Sequence, residues 1–189
     1  FHLGNFNVNF RVMRTLPQKF PLYGKMDKIQ TKWSEHIMTI RNSAKAIIMT
    51  NGKVLAIKMQ GGGGVFYILP GGGQENGENL HQTLERECLE EIGAEVEVGP
   101  LIFIREYIGK NHEFAVRHAG VHAIDFMYLC KVDQADFDNG SNPDKEQIGV
   151  EWLPINELLQ YNLYPLALRT HLISYCKGEK TTTYLGDIN

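Results

Sequence analysis

The sequence is poor in cysteine and has no long apolar run. Its 189 residues contain three cysteines, Cys88, Cys130 and Cys176, and none of them forms a CxxC pair. Such a sparse, odd number argues against a disulfide framework and against a zinc knuckle, and it is typical of a protein from a reducing, cytoplasmic compartment. Because the chain has no stretch of about 18 consecutive apolar residues, we expect no membrane span.

Positive charge is also scarce. The chain has 19 lysines and arginines against 22 aspartates and glutamates, a formal net charge of −3, and it has no long basic run. This composition does not favour a protein that binds nucleic acid. A phosphate-bearing ligand would have to be met by local positive charge or by bound metal ions. The glycines at 61–64 and 71–73 do not form a Walker loop, since no Gly-Lys-Ser/Thr follows them.

The chain divides into three parts. Residues 1–38 mix phenylalanines with basic residues without a clear period, and we interpret them as an N-terminal arm that packs on the domain or on a second subunit. The alternative is an added leader without a role in the fold. A regular pattern begins near Ala44, and we expect one domain over 39–177 and a C-terminal tail over 178–189.

The pattern within the domain predicts alternating strands and helices. Apolar runs at 44–50 and 53–59 are joined by Asn51-Gly52, a strong signal of a two-residue hairpin turn. A helix is predicted over 80–92, with Asn79 and Gln82 as a capping box and Gly93 as its end. Further strands are predicted at 66–69, 95–98, 101–108, 121–132 and 150–153, further helices at 155–161 and 165–176, and an exposed polar loop at 133–147.

The helix predicted over 80–92 carries a cluster of glutamates. Positions i, i+3 and i+4 share one helix face, so Glu87, Glu90 and Glu91 lie within a narrow arc. An apolar stripe at spacing four anchors the same helix on a core: Leu80, Leu84, Cys88 and Ile92. A solvated acidic face is the usual explanation of such a helix. Here a glycine-rich turn precedes the helix, Arg86 adjoins the first glutamate, and clustered carboxylates are the oxygen ligands that hard divalent cations need.

This stretch resembles the Nudix box. The family pattern is Gly, five residues, Glu, seven residues, Arg-Glu, an apolar residue, any residue, Glu-Glu, any residue, Gly and an apolar residue. The segment 72–94 fills every fixed position at the right spacing: Gly72, Glu78, Arg86, Glu87, Glu90, Glu91 and Gly93. Cys88 and Ala94 occupy the apolar positions. The strand order over about 40–177 supports the resemblance, and the first 38 residues lie outside it.

The resemblance implies a fold and a reaction. The fold is an α/β class, Nudix-type α/β/α sandwich with a mixed β-sheet. The reaction is that of a pyrophosphohydrolase, which cleaves a phosphoanhydride bond in a nucleoside diphosphate linked to another moiety. The implied cofactor is Mg²⁺, or Mn²⁺, the implied partner is a small nucleotide substrate, and many members are homodimers. The alternative is an inactive Nudix module that binds a nucleotide for regulation, which the intact set of glutamates disfavours.

The resemblance also implies roles for individual residues. The metal-ligand candidates are the carboxylates of the helix and one carbonyl of the preceding loop: Glu87, Glu90, Glu91, and Gly71 or Gly72. Glu90 and Glu91 are also catalytic candidates together with Arg86, which is expected to orient the carboxylates by charge-assisted hydrogen bonds. Glu78 is expected to hold the loop against the helix. Cys88 is interpreted as a core residue, since water is the nucleophile in this family.

A carboxylate from outside the helix often completes such a site as general base. Glu146 is our first choice: it lies in a polar loop six residues before Trp152, a placement similar to that of the additional glutamate in family members that cleave nucleoside triphosphates. Glu113, from the loop after the strand predicted at 101–108, is a rival candidate. The third option is that the general base is neither Glu146 nor Glu113. Glu151 is more typical of a fixed pairing residue within a strand.

Other polar residues carry weaker signals. Arg105, Tyr107 and Lys110 are either contacts for phosphate or base, or plain surface. The histidines 112, 118 and 122 have no spacing typical of a zinc site. Residues 108–111 read Ile-Gly-Lys-Asn and lack the marks of known subfamilies, so the sequence leaves the substrate open among ADP-ribose-like compounds, nucleoside triphosphates and nucleotide sugars.

Overall fold

The computed structural model describes residues 40–133, 137 and 140–189. The arm predicted over 1–38 therefore lies outside the described residues. The domain that follows it is described almost completely. Within these ranges, no helix has the length and apolar character needed to cross a bilayer.

The described residues form a mixed sheet of eight strands. The strands are β1 (Arg41–Thr50), β2 (Lys53–Gly61), β3 (Gly64–Ile68), β4 (Glu97–Ile108), β5 (His122–Lys131), β6 (Gln147–Pro154), β7 (Leu163–Tyr164) and β8 (Tyr184–Asp187). Their order is β7-β3-β2-β1-β5-β4-β8, and β6 pairs with the other edge of β2.

The sheet forks between its first two strands. β1 pairs with β2 only beside their turn, at Met49↔Val54 and Thr50↔Lys53. Beyond that point β1 runs parallel to β5 as far as Arg41↔Ala123, while β2 continues with β3 and β6. The fork leaves one edge of the first half of β1 open to the segment that precedes the glutamate helix.

Helices cover both faces of this sheet. Helix α1 (Leu80–Ile92) packs Leu84, Cys88 and Ile92 into a core cluster on one face. Helix α3 (Leu168–Cys176) packs Leu168 and Leu172 into a second cluster on the other face. A short helix α2 (Ala115–His118) and two 3-10 turns, Gly109–Asn111 and Ile155–Gln160, complete the domain. The predicted α/β sandwich with a mixed sheet is confirmed.

Local signals account for the first hairpin and for α1. Asn51 and Gly52 both have positive φ, 48° and 72°, as a two-residue turn between twisted strands requires. The side chain of Asn79 accepts hydrogen bonds from the backbone of Gln82, and the Gln82 side chain accepts one from the Asn79 backbone, at 3.0 and 2.9 Å. Gly93, with φ 65°, ends the helix in the left-handed conformation.

Several elements differ from the sequence prediction. The strands predicted at 95–98 and 101–108 are one strand, β4, which stays paired with β5 through register shifts between Val98 and Phe103. The helix predicted at 165–176 begins later, at Leu168, because the preceding residues form β7 and a turn. The helix predicted at 155–161 is a 3-10 turn at Ile155–Gln160. Helix α2 and the strands β7 and β8 were not predicted. β7 pairs in parallel with β3 and β8 with β4, and such short edge strands form through tertiary pairing rather than through their own propensity.

Candidate active site

The glycine-rich loop before α1 lies along the open edge of β1. The amides of Ala44 and Ala46 donate to the carbonyls of Gly72 and Pro70, at 3.0 and 2.8 Å. Gly71 has a φ of 114°, and a Cβ there would lie 2.2 Å from the Ala44 carbonyl oxygen. Only glycine fits this position, because the conformation and the space both exclude a side chain.

The next glycine leaves room for a carboxylate. A Cβ on Gly72 would lie 2.5 Å from the carboxyl carbon and both oxygens of Glu87. The absence of that atom lets Glu87, from the middle of α1, rest directly against the loop backbone. Helix and loop therefore present carboxylate and carbonyl oxygens in one place.

Arg86 joins the helix carboxylates to the loop. Its guanidinium donates to both oxygens of Glu78, at 2.7 and 3.1 Å, and to the carbonyl of Gly73 at 3.1 Å. It also donates to Glu87 at 2.9 Å and, more weakly, to Glu90 at 3.5 Å. These bonds hold the pKa of Glu78 down at about 2 and raise that of Arg86 above its usual range. Arg86 thus makes the contacts that an orienting role requires.

Glu91 occupies a separate, buried position. Its side chain is 5% exposed, and one carboxylate oxygen accepts the Gly71 amide at 2.7 Å. The carbonyl of Gly71 accepts a hydrogen bond from the ammonium of Lys45, on β1. Burial raises the pKa of Glu91 to about 7, although the charge of Lys45 opposes the rise. Glu91 therefore faces the loop and Lys45, whereas Glu87 and Glu90 face Arg86.

The carboxylates fit a magnesium site with few protein ligands. In the part of the chain that the structure describes, no three Asp, Glu, His or Cys side chains surround a single metal position. Mg²⁺ does not need three, since it commonly takes one or two carboxylates, keeps several waters and binds substrate phosphates. Glu87 and Glu90 are partly exposed, share one arginine and offer only oxygen donors, which matches that requirement.

The buried Glu91 is expected to make stability depend on pH in protein stripped of metal. Burial raises the pKa of its carboxyl from 4.5, the value in the unfolded chain, to about 7 in the folded state. Between these values the folded state keeps a proton that the unfolded state has lost. Raising the pH from 4.5 to 7 should therefore lower the free energy of unfolding, by at most about 3 kcal/mol from this group, with no further loss above. Urea denaturation in EDTA at pH 5 and pH 8 should show a smaller difference for Glu91→Gln than for the wild type. An equal difference in both proteins would exclude Glu91 as the source.

The end of α1 is fastened by the segment 140–147. Carbonyls in the last helical turn have no partner within the helix. The Gln147 side chain donates to the Glu91 carbonyl at 2.7 Å, and the Gly140 amide donates to the same oxygen at 3.1 Å. The Asn142 amide donates to the Glu90 carbonyl at 3.0 Å. The two last glutamates of the box are thus tied, through their backbone, to the loop before β6.

The predicted general bases lie in different surroundings. Glu146 belongs to the segment 140–147, which binds the end of α1. Its side chain is exposed, and its backbone carbonyl accepts a hydrogen bond from the backbone amide of Gln60 at 2.8 Å. Glu113 is exposed and accepts a bond from Asn189 at 2.8 Å. Asp144, which the sequence did not single out, is close enough to raise the pKa of Glu91.

Glu151 is a pairing residue, as predicted. Its carboxylate binds Lys58 at 3.1 Å and accepts the hydroxyl of Tyr67 at 3.0 Å. Cys88 is fully buried, and burial raises the pKa of its thiol well above the usual range. Both observations agree with structural roles for these two residues.

The weaker candidates from the sequence are engaged elsewhere in the fold. Arg105 forms a 2.7 Å ion pair with Asp125 and donates to the carbonyl of Ile188. The three histidines each contact a different partner: His112 contacts Asp187, His118 contacts Tyr107 and His122 contacts Glu106. Lys110 is exposed.

Sequence reasoning missed two residues of the site, Lys45 and Gln147, and only the first of them has a pattern that could have indicated it. Lys45 interrupts an otherwise apolar strand between Ala44 and Ala46, and a charge inside such a run is a local conflict that indicates a special role. Gln147 stands at the end of a polar loop, where a buried glutamine has no distinguishing pattern.

Comparison with known proteins identifies the family. A model of the NUDIX domain matches residues 40–171. The chain belongs to the Nudix family. The predicted family is thereby confirmed.

Individual Nudix proteins resemble the chain in part. A nucleoside triphosphatase, NudI, from Enterobacter sp. (strain 638) is 44% identical over 55 residues, which is 28% of this chain and 39% of that protein. A Nudix hydrolase structure from Nitrosomonas europaea is 23% identical, with a TM-score of 0.62 over 82% of this chain and 81% of the other. An ADP-ribose pyrophosphatase structure from Streptococcus suis is 19% identical, with a TM-score of 0.55 over 79% and 100%. At these identities the two structures establish the shared fold.

Proposed function

We propose that this Nudix protein hydrolyses a phosphoanhydride bond in a nucleoside diphosphate linked to another moiety, with Mg²⁺ or Mn²⁺ as cofactor. The observation that carries the proposal is the contact of Arg86 with Glu87, Glu90 and the loop carbonyl of Gly73. Glutamates that only face solvent would not be joined by one arginine to each other and to the loop backbone. The buried bond between Glu91 and Gly71 supports it further, because it keeps helix and loop in register.

The chain's own residues would hold and position the metal. Glu87 and Glu90 would bind the metal from the exposed side of the site. Glu91 and the carbonyl of Gly71 would line its buried side. When bound, divalent ions neutralise charge on phosphate oxygens and lower the pKa of water. Arg86 keeps the two outer carboxylates at a fixed separation from the loop, so little reorganisation is needed during the reaction.

The protein's remaining task is to move one proton. We propose Glu146 as the general base that accepts the proton of the attacking water, with Arg86, Glu90 and Glu91 as the other catalytic residues. Glu146 is supported by its place in the segment that binds the last turn of α1. Its exposed side chain is free to adjust when substrate binds.

A nucleotide panel tests the proposal. Nucleoside triphosphates, ADP-ribose and nucleotide sugars are incubated with the protein in Mg²⁺ and, separately, in EDTA. We expect at least one of them to be hydrolysed at a phosphoanhydride bond in Mg²⁺ and to be stable in EDTA. Absence of hydrolysis across the panel would contradict the proposal. If nucleotides still bind, that result favours the alternative, an inactive module that binds nucleotide for regulation.

Two wider proposals accompany the activity. A cytoplasmic location is supported by three cysteines that form no disulfide with one another.

A homodimer built through the arm at 1–38 is proposed from the resemblance, and those residues lie outside the described ranges. Light scattering on the chain with and without residues 1–37 tests it, since we expect the shorter chain to be monomeric.

A further inference from the structure

A continuous row of rings crosses from the edge of the sheet to the loop between β4 and β5. Phe66 of β3 contacts Tyr164 of β7 with ring centroids 6.0 Å apart, and Tyr164 contacts Phe114 at 6.1 Å. Phe114 contacts His118 at 5.7 Å, and His118 contacts the buried Tyr107 at 5.9 Å. Phe114 is 41% exposed, although it touches rings on both sides.

One end of this row lies on the sheet face that carries the carboxylate helix. Phe66 packs against the core cluster that contains Leu84 and Cys88 of α1. Phe66 is also paired with Met59, which is paired in turn with Gln147, the residue whose side chain binds the Glu91 carbonyl. The row is therefore joined to the end of α1 through directly paired neighbours.

The other end of the row is fastened by the segment 184–189. Asp187 accepts the Ile108 amide at 2.9 Å, the Asn111 side chain at 2.7 Å and His112 at 2.6 Å. The ring of His112 stacks on that of Tyr107, with centroids 5.1 Å apart. Asp187, in β8, thus binds the first residues of the loop between β4 and β5. Through His112 it also fixes the position of Tyr107, the last ring of the row.

We propose that Phe114, Tyr164 and Phe66 form a subsite for the planar base of the nucleotide, and that Asp187 holds its Phe114 wall in place. Three neighbouring rings offer faces and edges to a flat aromatic ligand. Stacking on a base is tolerant of base identity, because every base has a π-face. This inference rests on the proposed function, since it names what the same site would recognise besides phosphate.

Binding of the fluorescent nucleotide 1,N6-etheno-ADP in EDTA tests the subsite without turnover. We expect the wild type to bind it with quenched fluorescence, and Phe114→Ala to weaken binding about tenfold. Phe114→Trp should retain binding. Val116→Ala is the matched control, because Val116 lies in the same loop and is 99% exposed. Asp187→Asn should weaken binding as Phe114→Ala does, in a variant whose circular dichroism matches the wild type.

Kinetics separate the subsite from the proposed reaction. For the best substrate of the panel, Phe114→Ala should raise KM about tenfold, and the inhibition constant of inorganic pyrophosphate, which has no base, should not change. Equal binding of etheno-ADP by Phe114→Ala and Val116→Ala, or no binding by the wild type, would overturn the subsite while leaving the hydrolysis proposal intact. Loss in Phe114→Ala without loss in Asp187→Asn would overturn the fastening role alone. Tight, Phe114-dependent binding without hydrolysis of any nucleotide would overturn the proposed function and keep the subsite.

Discussion

Replacing Glu91 by glutamine is expected to lower kcat for the best substrate by about a hundredfold or more. The carboxylate lies against the Gly71 amide and close to Lys45, so its charge acts where the loop, the metal and the phosphate would meet. Loss of a group that stabilises charge at such a site removes transition-state stabilisation of this size. The measurement is steady-state turnover at saturating Mg²⁺, on variants whose folding is checked by circular dichroism.

Glu85→Gln is the matched control for this experiment. Glu85 is an exposed glutamate of the same helix, and it should keep nearly wild-type turnover. A folded Glu91→Gln protein with turnover close to that of Glu85→Gln would remove Glu91 from the catalytic set. The comparison therefore separates the charge at one position from the overall acidity of α1.

Glu146→Gln is expected to lower kcat on the order of a hundredfold while KM stays nearly unchanged. A general base acts in the transition state, so its loss should not weaken substrate binding. The acidic limb of the pH–rate profile should disappear with it. Asp144→Asn is the structural comparison, because Asp144 lies in the same segment and its charge reaches Glu91.

Each other outcome points to a different residue. Normal turnover of Glu146→Gln together with a large loss in Asp144→Asn would assign the proton to Asp144. Normal turnover of both, with a large loss in Glu113→Gln, would place the base on the loop between β4 and β5. In either case Glu146 would be an exposed residue without a catalytic role.

Local rules were sufficient for the parts of the fold whose geometry is set within a few residues. The turn at Asn51-Gly52, the capping box at Asn79 and the helix end at Gly93 each depend on neighbours in the chain. The glutamates of α1 share a face for the same reason, since helical spacing alone brings them together. The existence and position of the site helix were therefore predictable.

Contacts between distant segments were not predictable in this way. The bond from Gln147 to the Glu91 carbonyl spans 56 residues, and the bond from Asp187 to the Ile108 amide spans 79. Helical spacing placed Glu87, Glu90 and Glu91 together, but it did not reveal that Glu91 is buried against the Gly71 amide, near the charge of Lys45. That contact depends on the fork between β1 and β2, because the fork is where the glycine-rich loop pairs with β1.

Binding of Mn²⁺ measured by electron paramagnetic resonance tests the central claim most directly, because it reports on the metal site without any choice of substrate. The account predicts that the wild type and Glu85→Gln bind Mn²⁺ with similar affinity and that Glu87→Gln binds it at least about tenfold more weakly. Equal affinity of Glu87→Gln and Glu85→Gln, or no Mn²⁺ binding by the wild type, would contradict it.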